Sequence, residues 1–191
     1  MCVLISGGPG SGCTSTAKLL GDRLGIPVLD SDSFFHKPTN PPFQEQYSPV
    51  ERRRLLSEAL AQSSDWILSG SIATWDVDLP TIHFGVFMDI PKKVRMRRLE
   101  LRERERFGDR IDVGGDMHTE KTLFMEWALA YEDRSGRTRN RVMDRDFLIG
   151  HCDHFIEVRH SQSLEEITSK IQSILANPTK RRTSSGGSGP E

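Results

Sequence analysis

The apolar positions near the start of the chain form first a continuous run and then a helical spacing. Residues 2–5 are all apolar, which is typical of a strand buried on both faces of a parallel sheet. Apolar side chains then recur on one helix face over residues 13–24, and Gly25 is the residue type that commonly ends a helix. A short apolar run follows at residues 26–29. The pattern predicts a strand, a helix and a second strand, which together form a βαβ unit.

The same two patterns alternate along the rest of the chain. Apolar runs predict further strands at residues 66–68, 84–88 and 154–158. Amphipathic spacing predicts helices at about residues 50–62, 91–107, 123–131 and 164–175. Strands that alternate with helices predict an α/β fold, namely a three-layer sandwich around a mostly parallel five-stranded sheet. In such sheets ligands bind beyond the carboxyl ends of the strands, so the candidate chemistry is expected in the loops that follow them.

The length and the final residues predict one domain and a tail. Residues 1–176 are expected to form a single domain, because 191 residues suit one core and the strand–helix alternation continues to that point. Residues 177–191 contain no Ala, Val, Ile, Leu, Met, Phe, Trp, Tyr or Cys residue and include a Gly/Ser stretch. We therefore predict a disordered tail at 177–191.

Charge and cysteine usage exclude several classes of protein. The 26 Lys and Arg residues balance 27 Asp and Glu residues, and this net charge of −1 argues against a protein that coats nucleic acid. Three cysteines without a C-x-x-C pair favour a reducing compartment over a disulfide scaffold. No apolar run is long enough to span a bilayer or to form a signal peptide. The sequence predicts a cytoplasmic protein that binds neither membrane nor nucleic acid.

A glycine-rich loop joins the first predicted strand to the first predicted helix. Residues 7–14 read Gly-Gly-Pro-Gly-Ser-Gly-Cys-Thr and fit the Walker A pattern G-x-x-x-x-G-K-[ST] except that Cys13 replaces the lysine. Backbone N–H groups of such a loop, together with the helix N-terminus, bind phosphate. Thr14 is placed to bind Mg²⁺, and Ser15 to contact an inner phosphate. The predicted nucleotide-binding residues are Gly7, Gly8, Gly10, Ser11, Gly12, Cys13, Thr14 and Ser15.

The missing lysine affects catalysis more than binding. A dinucleotide-binding G-x-G-x-x-G pattern fails, because Cys13 or Ser15 falls where its third glycine should be. A hydrogen bond between a charged group and phosphate contributes about 1.5–3 kcal/mol, which corresponds to about 10- to 100-fold in rate. The loop amides and Mg²⁺ should therefore still bind nucleotide, whereas the chemistry needs a cation from elsewhere. Cys13 is either a reactive thiol at a helix N-terminus or, as we favour, a small space-filling group.

Cations and aromatic side chains are concentrated in two further segments. Residues 92–110 hold nine basic and four acidic residues, and Arg98 and Arg102 lie on one face of the predicted helix there. A second basic patch comprises Arg137, Arg139 and Arg141, which either complete a lid or contact a partner. Aromatic residues in and beyond the proline-rich segment 33–49 either line an acceptor pocket or pack the loop itself. The candidate substrate-binding residues are Phe34, Phe35, Phe43 and Trp75.

Three segments carry a resemblance to a known family. They read Asp-Ser-Phe-Phe at residues 32–35, Pro-Thr-Asn-Pro-Pro-Phe at 38–43 and Gly-Gly-Asp-Met-His at 114–118. With the glycine loop, they make residues 2–176 resemble the P-loop small-molecule kinases of the adenylate, shikimate and uridine kinase group. Within that group the chain most resembles uncharacterised bacterial adenylate-kinase-like ATPases. The resemblance implies a P-loop NTPase fold of the nucleoside-monophosphate-kinase type, with a helical lid at about residues 95–145.

The resemblance also implies roles for individual residues. It makes Asp32 the base toward a substrate hydroxyl and, with Thr14, a ligand of Mg²⁺. It brings Arg98 and Arg102 from the lid onto the phosphates. Asp30 either holds a metal-bound water or caps the loop. The catalytic candidates are therefore Asp32, Arg98 and Arg102, and the expected cofactors are ATP and Mg²⁺.

The predicted function is that of an ATP-dependent phosphotransferase. The enzyme would move the γ-phosphate to a hydroxyl of a small metabolite or nucleoside, because a phosphate acceptor would not need a base. One alternative is a non-catalytic nucleotide-binding regulatory module, which the missing lysine favours. A second is a nucleoside-monophosphate kinase, which the arginines at 52–54 favour. The expected partners are a nucleotide and a small-molecule acceptor, and the sequence leaves the acceptor and the oligomeric state open.

Overall fold

A five-stranded parallel sheet forms the centre of the computed structural model, which describes residues 1–136, 138–159 and 163–177. The strands are β1 (Cys2–Gly7), β2 (Val28–Asp30), β3 (Trp66–Ser69), β4 (Ile82–Met88) and β5 (Cys152–Val158). Their order in the sheet is β2-β3-β1-β4-β5, and every neighbouring pair is parallel. The predicted sheet is thus confirmed. Apart from Asn177, the predicted tail lies outside the described residues.

Helices cover both faces of the sheet. They are α1 (Cys13–Leu24), α2 (Asp32–Phe35), α3 (Pro49–Leu60), α4 (Lys92–Phe107), α5 (His118–Leu129), α6 (Arg141–His151) and α7 (Leu164–Ala176), with a 3-10 helix at Gly108–Ile111. Apolar residues of α1 and α7 pack with one face of the sheet, and those of α3 and α6 pack with the other. The protein therefore has one hydrophobic core on each face of the sheet, as a three-layer α/β sandwich requires. Among the described residues, no helix has both the length and the apolar character needed to cross a bilayer.

Local sequence signals explain where several helices begin and end. Helix α3 begins with a capping box, in which the Ser48 hydroxyl and the Glu51 backbone and side chain bond reciprocally, and Pro49 occupies the first turn. Helix α1 ends at Gly25, which has the left-handed φ of 65° that favours glycine. The sequence predicts the bounds of α1, α3, α4 and α7 to within two residues.

Helices α2, α5 and α6 differ from the prediction, and α5 begins at His118, five residues before the predicted start at 123. Helix α6 occupies a segment in which the sequence showed only a basic patch, and α2 forms a single turn inside the predicted aromatic loop. Asp144 and Leu148 are the buried residues of α6 and Phe147 packs partly against the core, so the inward face of the helix carries a carboxylate among apolar side chains. The Asn140 side chain caps α6 by accepting a hydrogen bond from Met143 N, and this N-cap was the available signal.

The sheet register brings the ends of three strands to one edge. In the pairing of β1 with β4, Gly7 lies opposite Met88, and Ser69 of β3 pairs with both Ile5 and Asp30. The loops that leave Gly7, Asp30 and Ser69 therefore start side by side at the carboxyl end of the sheet. This is the edge at which parallel α/β sheets bind ligands.

Candidate active site

The phosphate loop, residues 7–14, lies between β1 and α1 and faces a cleft of about 1410 Å³. Gly10 and Gly12 have φ values of 80° and 92°, which residues other than glycine rarely adopt. A Cβ atom at Gly10 would also lie 2.6 Å from the carbonyl oxygen of Arg95, so α4 packs directly against the loop. All eight residues predicted to bind nucleotide line the cleft.

Two carboxylates, one on the last residue of β2 and one two residues beyond it, line the same cleft. The Thr14 hydroxyl donates a hydrogen bond to Asp30 Oδ2 at 2.9 Å, and the Asp32 backbone N–H donates to Asp30 Oδ1 at 3.0 Å. Burial raises the pKa of Asp32, and the neighbouring Asp30 carboxylate raises it further. Asp30 thus links the predicted metal ligands Thr14 and Asp32, a role that the sequence left open. Its position at the carboxyl end of β2 was the signal.

These side chains supply oxygen donors of the kind that Mg²⁺ prefers. The described residues include no cluster of three or more His, Cys, Asp or Glu side chains suited to a metal ion. Mg²⁺ in phosphoryl-transfer sites is commonly held by one or two carboxylates together with substrate phosphates, which does not require such a cluster. The Thr14 hydroxyl and the carboxylates of Asp30 and Asp32 therefore fit a magnesium ion that is completed by nucleotide.

Cys13 occupies the lysine position of the Walker A pattern and is buried. Its sulfur lies 3.2 Å from the Ser11 hydroxyl oxygen. Burial raises the pKa of Cys13 to about 11, so the group is a protonated thiol at neutral pH. A neutral thiol fits the interpretation of Cys13 as a space-filling group and adds no cation to the loop.

Arg98 and Arg102 both line the cleft. Arg98 Nη1 donates to the carbonyl oxygen of Ser11 at 3.4 Å. Arg102 donates from Nε and Nη2 to Glu103 Oε1, at 3.0 and 2.9 Å. The α4 helix thus brings both predicted catalytic arginines to the cleft, although Arg102 is already paired with a carboxylate.

Aromatic side chains form part of the cleft wall. Phe35, Phe43 and Trp75 line the cleft, and the ring centroids of Phe35 and Trp75 lie 6.2 Å apart. Phe43 is 43% exposed and lies under the Arg106 guanidinium, 5.0 Å from the ring centroid. Phe34 is not among the cleft-lining residues and packs instead against the core on the α3 side of the sheet. Three of the four predicted substrate-binding residues therefore come together.

The second basic patch has members with different environments. Arg139 lines the cleft, and its Nη2 donates to the carbonyl oxygen of Gly7 at 2.8 Å. Arg141 instead donates to both carboxylate oxygens of Asp89, at 2.8 and 2.6 Å. Arg137 lies outside the described residues. The sequence identified the patch but did not indicate which arginine reaches the phosphate loop.

The buried carboxylate of Asp144 holds the Arg139 side chain in place. Asp144, which is 1% exposed, accepts hydrogen bonds from the Tyr131 hydroxyl at 2.8 Å and the Ser71 hydroxyl at 2.5 Å. It also accepts from Arg139 Nε at 3.2 Å. Neither Tyr131 nor Asp144 is among the site residues predicted from the sequence. The network links the loop after β3, the segment before α6 and α6 itself.

Comparison with known proteins identifies related sequences. No family model matches the chain. The uncharacterised protein YqaC of Bacillus subtilis is 27% identical over 174 residues, which cover 91% of this chain and 96% of that protein. The cytidylate kinase of Pyrobaculum islandicum is 25% identical over 119 residues, which cover 57% of this chain and 64% of that enzyme.

Solved structures share the architecture over most of its length. Shikimate kinase from Bacteroides thetaiotaomicron superposes with a TM-score of 0.57 and 14% identity, covering 92% of this chain and 98% of that one. Deoxyadenosine kinase from M. mycoides, in its structure with bound dATP, gives a TM-score of 0.57 and 12% identity, covering 92% and 100%. The chain therefore has the fold of the P-loop small-molecule kinases, and the resemblance predicted from its sequence is confirmed.

Proposed function

We propose that the protein is an ATP-dependent phosphotransferase that transfers the γ-phosphoryl group to a hydroxyl of a small acceptor. One observation carries the proposal: the phosphate loop, the Asp32 carboxylate and the aromatic side chains of Phe35 and Trp75 all line one cleft. Such a cleft can hold a nucleotide and an acceptor together, with a carboxylate beside both. The kinase-like fold and the sequence similarity to a cytidylate kinase support the same reaction class.

Asp32 is suited to act as the base. In the transfer, the acceptor oxygen bonds to the γ-phosphorus while the bond from that phosphorus to the β,γ-bridging oxygen breaks. ADP leaves with the bonding electron pair, and the hydroxyl proton passes to the Asp32 carboxylate. Desolvation within the cleft and the adjacent Asp30 carboxylate raise the pKa of Asp32, which makes its carboxylate a stronger base than an unperturbed aspartate.

The remaining side chains of the site neutralise charge. Thr14, Asp30 and Asp32 would hold Mg²⁺, which when bound neutralises the negative charge on the phosphates. Arg98 and Arg102 lie on the α4 side of the cleft, where guanidinium groups can stabilise the charge on the transferred group. Cys13 fills space beneath the loop.

A hydroxyl acceptor fits the cleft better than a nucleoside monophosphate. The arginines that favoured a phosphate acceptor have other partners and do not line the cleft. Arg52 stacks on Phe35 at 4.1 Å and donates to the carbonyl oxygen of Tyr47, and Arg54 pairs with Glu58. The acceptor wall is instead aromatic, which suits a planar or apolar ring.

The test measures ATP consumption across panels of nucleosides, sugars and nucleotides. We expect Asp32→Asn to lower kcat by about 10²- to 10⁴-fold, the usual range for a general base, while ATP binding is retained. Asp78→Asn, at an exposed position outside the cleft, is the matched control and should retain full activity. Nucleotide binding without turnover on any acceptor would support a regulatory module instead, and failure to bind nucleotide would refute the proposal.

A further inference from the structure

Arg139 is the cation that the structure fixes at the first residue of the phosphate loop. Its Nη2 donates to the Gly7 carbonyl oxygen at 2.8 Å, and its side chain lines the cleft. Two other arginines bond to carbonyl oxygens of the loop, Arg95 to Pro9 at 2.7 Å and Arg98 to Ser11 at 3.4 Å. The three side chains differ in how they can respond to a ligand.

Arg95 is enclosed and Arg98 is held by a long hydrogen bond. The Arg95 side chain is 1% exposed and is also paired with Glu132, so it supports the loop from outside the cleft. The Arg139 side chain is 24% exposed and lines the cleft. Its orientation is fixed by Asp144 at Nε and by the rings of Trp127 and Tyr131, whose centroids lie 5.8 and 5.9 Å from its guanidinium carbon. Arg139 therefore combines fixed geometry with access to a ligand.

Arg139 shares one cleft with the predicted reaction centre. Its side chain lines the same cleft as Cys13, the residue in the lysine position, and as Asp32, the candidate base. Its N–H groups outnumber the two partners, Gly7 and Asp144, so donors remain for phosphate oxygens.

We propose that Arg139 replaces the missing Walker A lysine and binds the phosphate groups of a nucleotide held on the loop. This inference rests on the proposed function, because it assumes that the loop binds nucleotide. The compensation is physically direct: position 13 carries a neutral buried thiol, and the positive charge is supplied from the segment before α6 instead of from α1. A fixed guanidinium also offers paired donors that match phosphate geometry.

The experiment compares nucleotide affinities of the full chain by calorimetric titration with ATP, ADP and adenosine in the presence of Mg²⁺. We expect Arg139→Met to weaken ATP binding by about 10- to 100-fold and to leave adenosine binding unchanged, because the lost contacts are to phosphate. Arg141→Met is the matched control, since Arg141 pairs with Asp89 and does not line the cleft. It should bind both ligands as the wild type does.

A lysine introduced at position 13 tests whether Arg139 acts through its charge, because recovery of ATP affinity is not expected if Arg139 has only a structural role. Cys13→Lys in the Arg139→Met background should restore much of the ATP affinity, whereas Cys13→Lys in the wild type should gain little. Thermal unfolding of each variant checks that the chain is folded. Arg139→Met leaves Asp144 buried without its cation, and this variant could fail to fold for that reason. In that case the double variant Arg139→Met/Asp144→Asn, which removes both charges, takes the place of Arg139→Met in the titrations.

The outcomes separate the two proposals. Wild-type ATP affinity in the folded Arg139→Met variant, or no recovery on adding Cys13→Lys, overturns the inference and leaves the proposed function standing. An equal loss of adenosine and ATP binding also overturns it, since the effect would then be structural. If the wild type binds no nucleotide, the proposed function fails and the inference fails with it.

Discussion

The hydroxyl of Tyr131 provides a sharp test of the buried network behind the phosphate loop. Tyr131 is 2% exposed and Asp144 is 1% exposed, and the hydroxyl donates to the carboxylate at 2.8 Å. Burial, followed by the nearby Asp144 charge, raises the pKa of Tyr131 far above its ordinary value, so the hydroxyl keeps its proton throughout the usable pH range. Tyr131→Phe removes this one donor and keeps the ring.

The magnitude follows from what the substitution leaves in place. The phenylalanine ring can still pack beneath Arg95, whose guanidinium carbon lies 5.3 Å from the Tyr131 centroid, and against Gly8. The loss is therefore that of a hydrogen bond to a charged group, about 1.5–3 kcal/mol of unfolding free energy. For a chain of this size each kcal/mol lowers Tm by about 2–4 °C, so we expect a decrease of about 3–12 °C.

Urea unfolding and thermal unfolding of the wild type and Tyr131→Phe measure this loss. Tyr47→Phe is the matched control, because Tyr47 is the chain's only other tyrosine and is half-buried in the aromatic loop, away from Asp144. It should change the unfolding free energy by less than about 0.5 kcal/mol. A change that small in Tyr131→Phe would mean that Ser71 and Arg139 satisfy Asp144 without the tyrosine, and the reasoning would be refuted.

Three further predictions concern single sites. Hydrogen bonds from Arg141 lower the pKa of Asp89, so the pair stabilises the fold at pH values above the ordinary aspartate pKa. In urea unfolding, the excess stability of the wild type over Asp89→Asn should disappear as the pH falls through the lowered pKa. A stability difference that does not depend on pH would contradict this prediction. Burial raises the pKa of Cys13 to about 11, so iodoacetamide at pH 7.5 should alkylate this thiol far more slowly in the folded chain than in urea. Mass spectrometry measures the two rates, and equal rates would contradict a buried thiol. Gly8→Ala would place a Cβ atom 2.7 Å from the Tyr131 ring. It should lower the unfolding free energy by about 1–3 kcal/mol and weaken ATP binding. The control Gly150→Ala, whose Cβ meets nothing within 4 Å, should leave the stability unchanged or raise it.

The first third of the fold could be predicted because its signals are local. Helix α1 begins after Gly12 and ends at Gly25, and the sequence places both glycines and the apolar face between them. The predicted range 13–24 is the observed one. Strand β2 is shifted by one or two residues, because its paired register with β3 begins only at Val28, although the Pro27 carbonyl oxygen already accepts a hydrogen bond from Ile67 N at 2.9 Å. Helix α6 was missed because a charged residue, Asp144, occupies the buried face of the helix, where the pattern expects an apolar side chain.

The site divides in the same way. The phosphate loop and Asp32 follow from the residues around them, whereas the link from Arg139 to Gly7 spans 132 positions of the chain. The pairing of Arg102 with Glu103 joins neighbouring residues, yet only the burial of Glu103 shows that the ion pair is held. Phe34 and Phe35 are adjacent and chemically alike, and both pack against the core on the α3 side of the sheet, but only Phe35 also lines the cleft. Such differences depend on tertiary packing, which composition and spacing do not contain.

The arrangement of arginines explains how a loop without lysine can still attract an anion. Alternate residues of the loop, Gly7, Pro9 and Ser11, each have a carbonyl oxygen that accepts from an arginine, namely Arg139, Arg95 and Arg98. Carbonyl oxygens are the negative ends of the peptide dipoles, so these guanidinium groups offset the part of the loop that would repel phosphate. Lysine in the ordinary pattern adds its charge from within the loop. Here the charge comes from α4 and from the segment before α6, so the electrostatics of the loop depend on the docking of those elements. Gly8→Ala should disturb the packing of these elements against the loop. We therefore expect it to weaken nucleotide binding, although Gly8 has no side chain that could donate to phosphate.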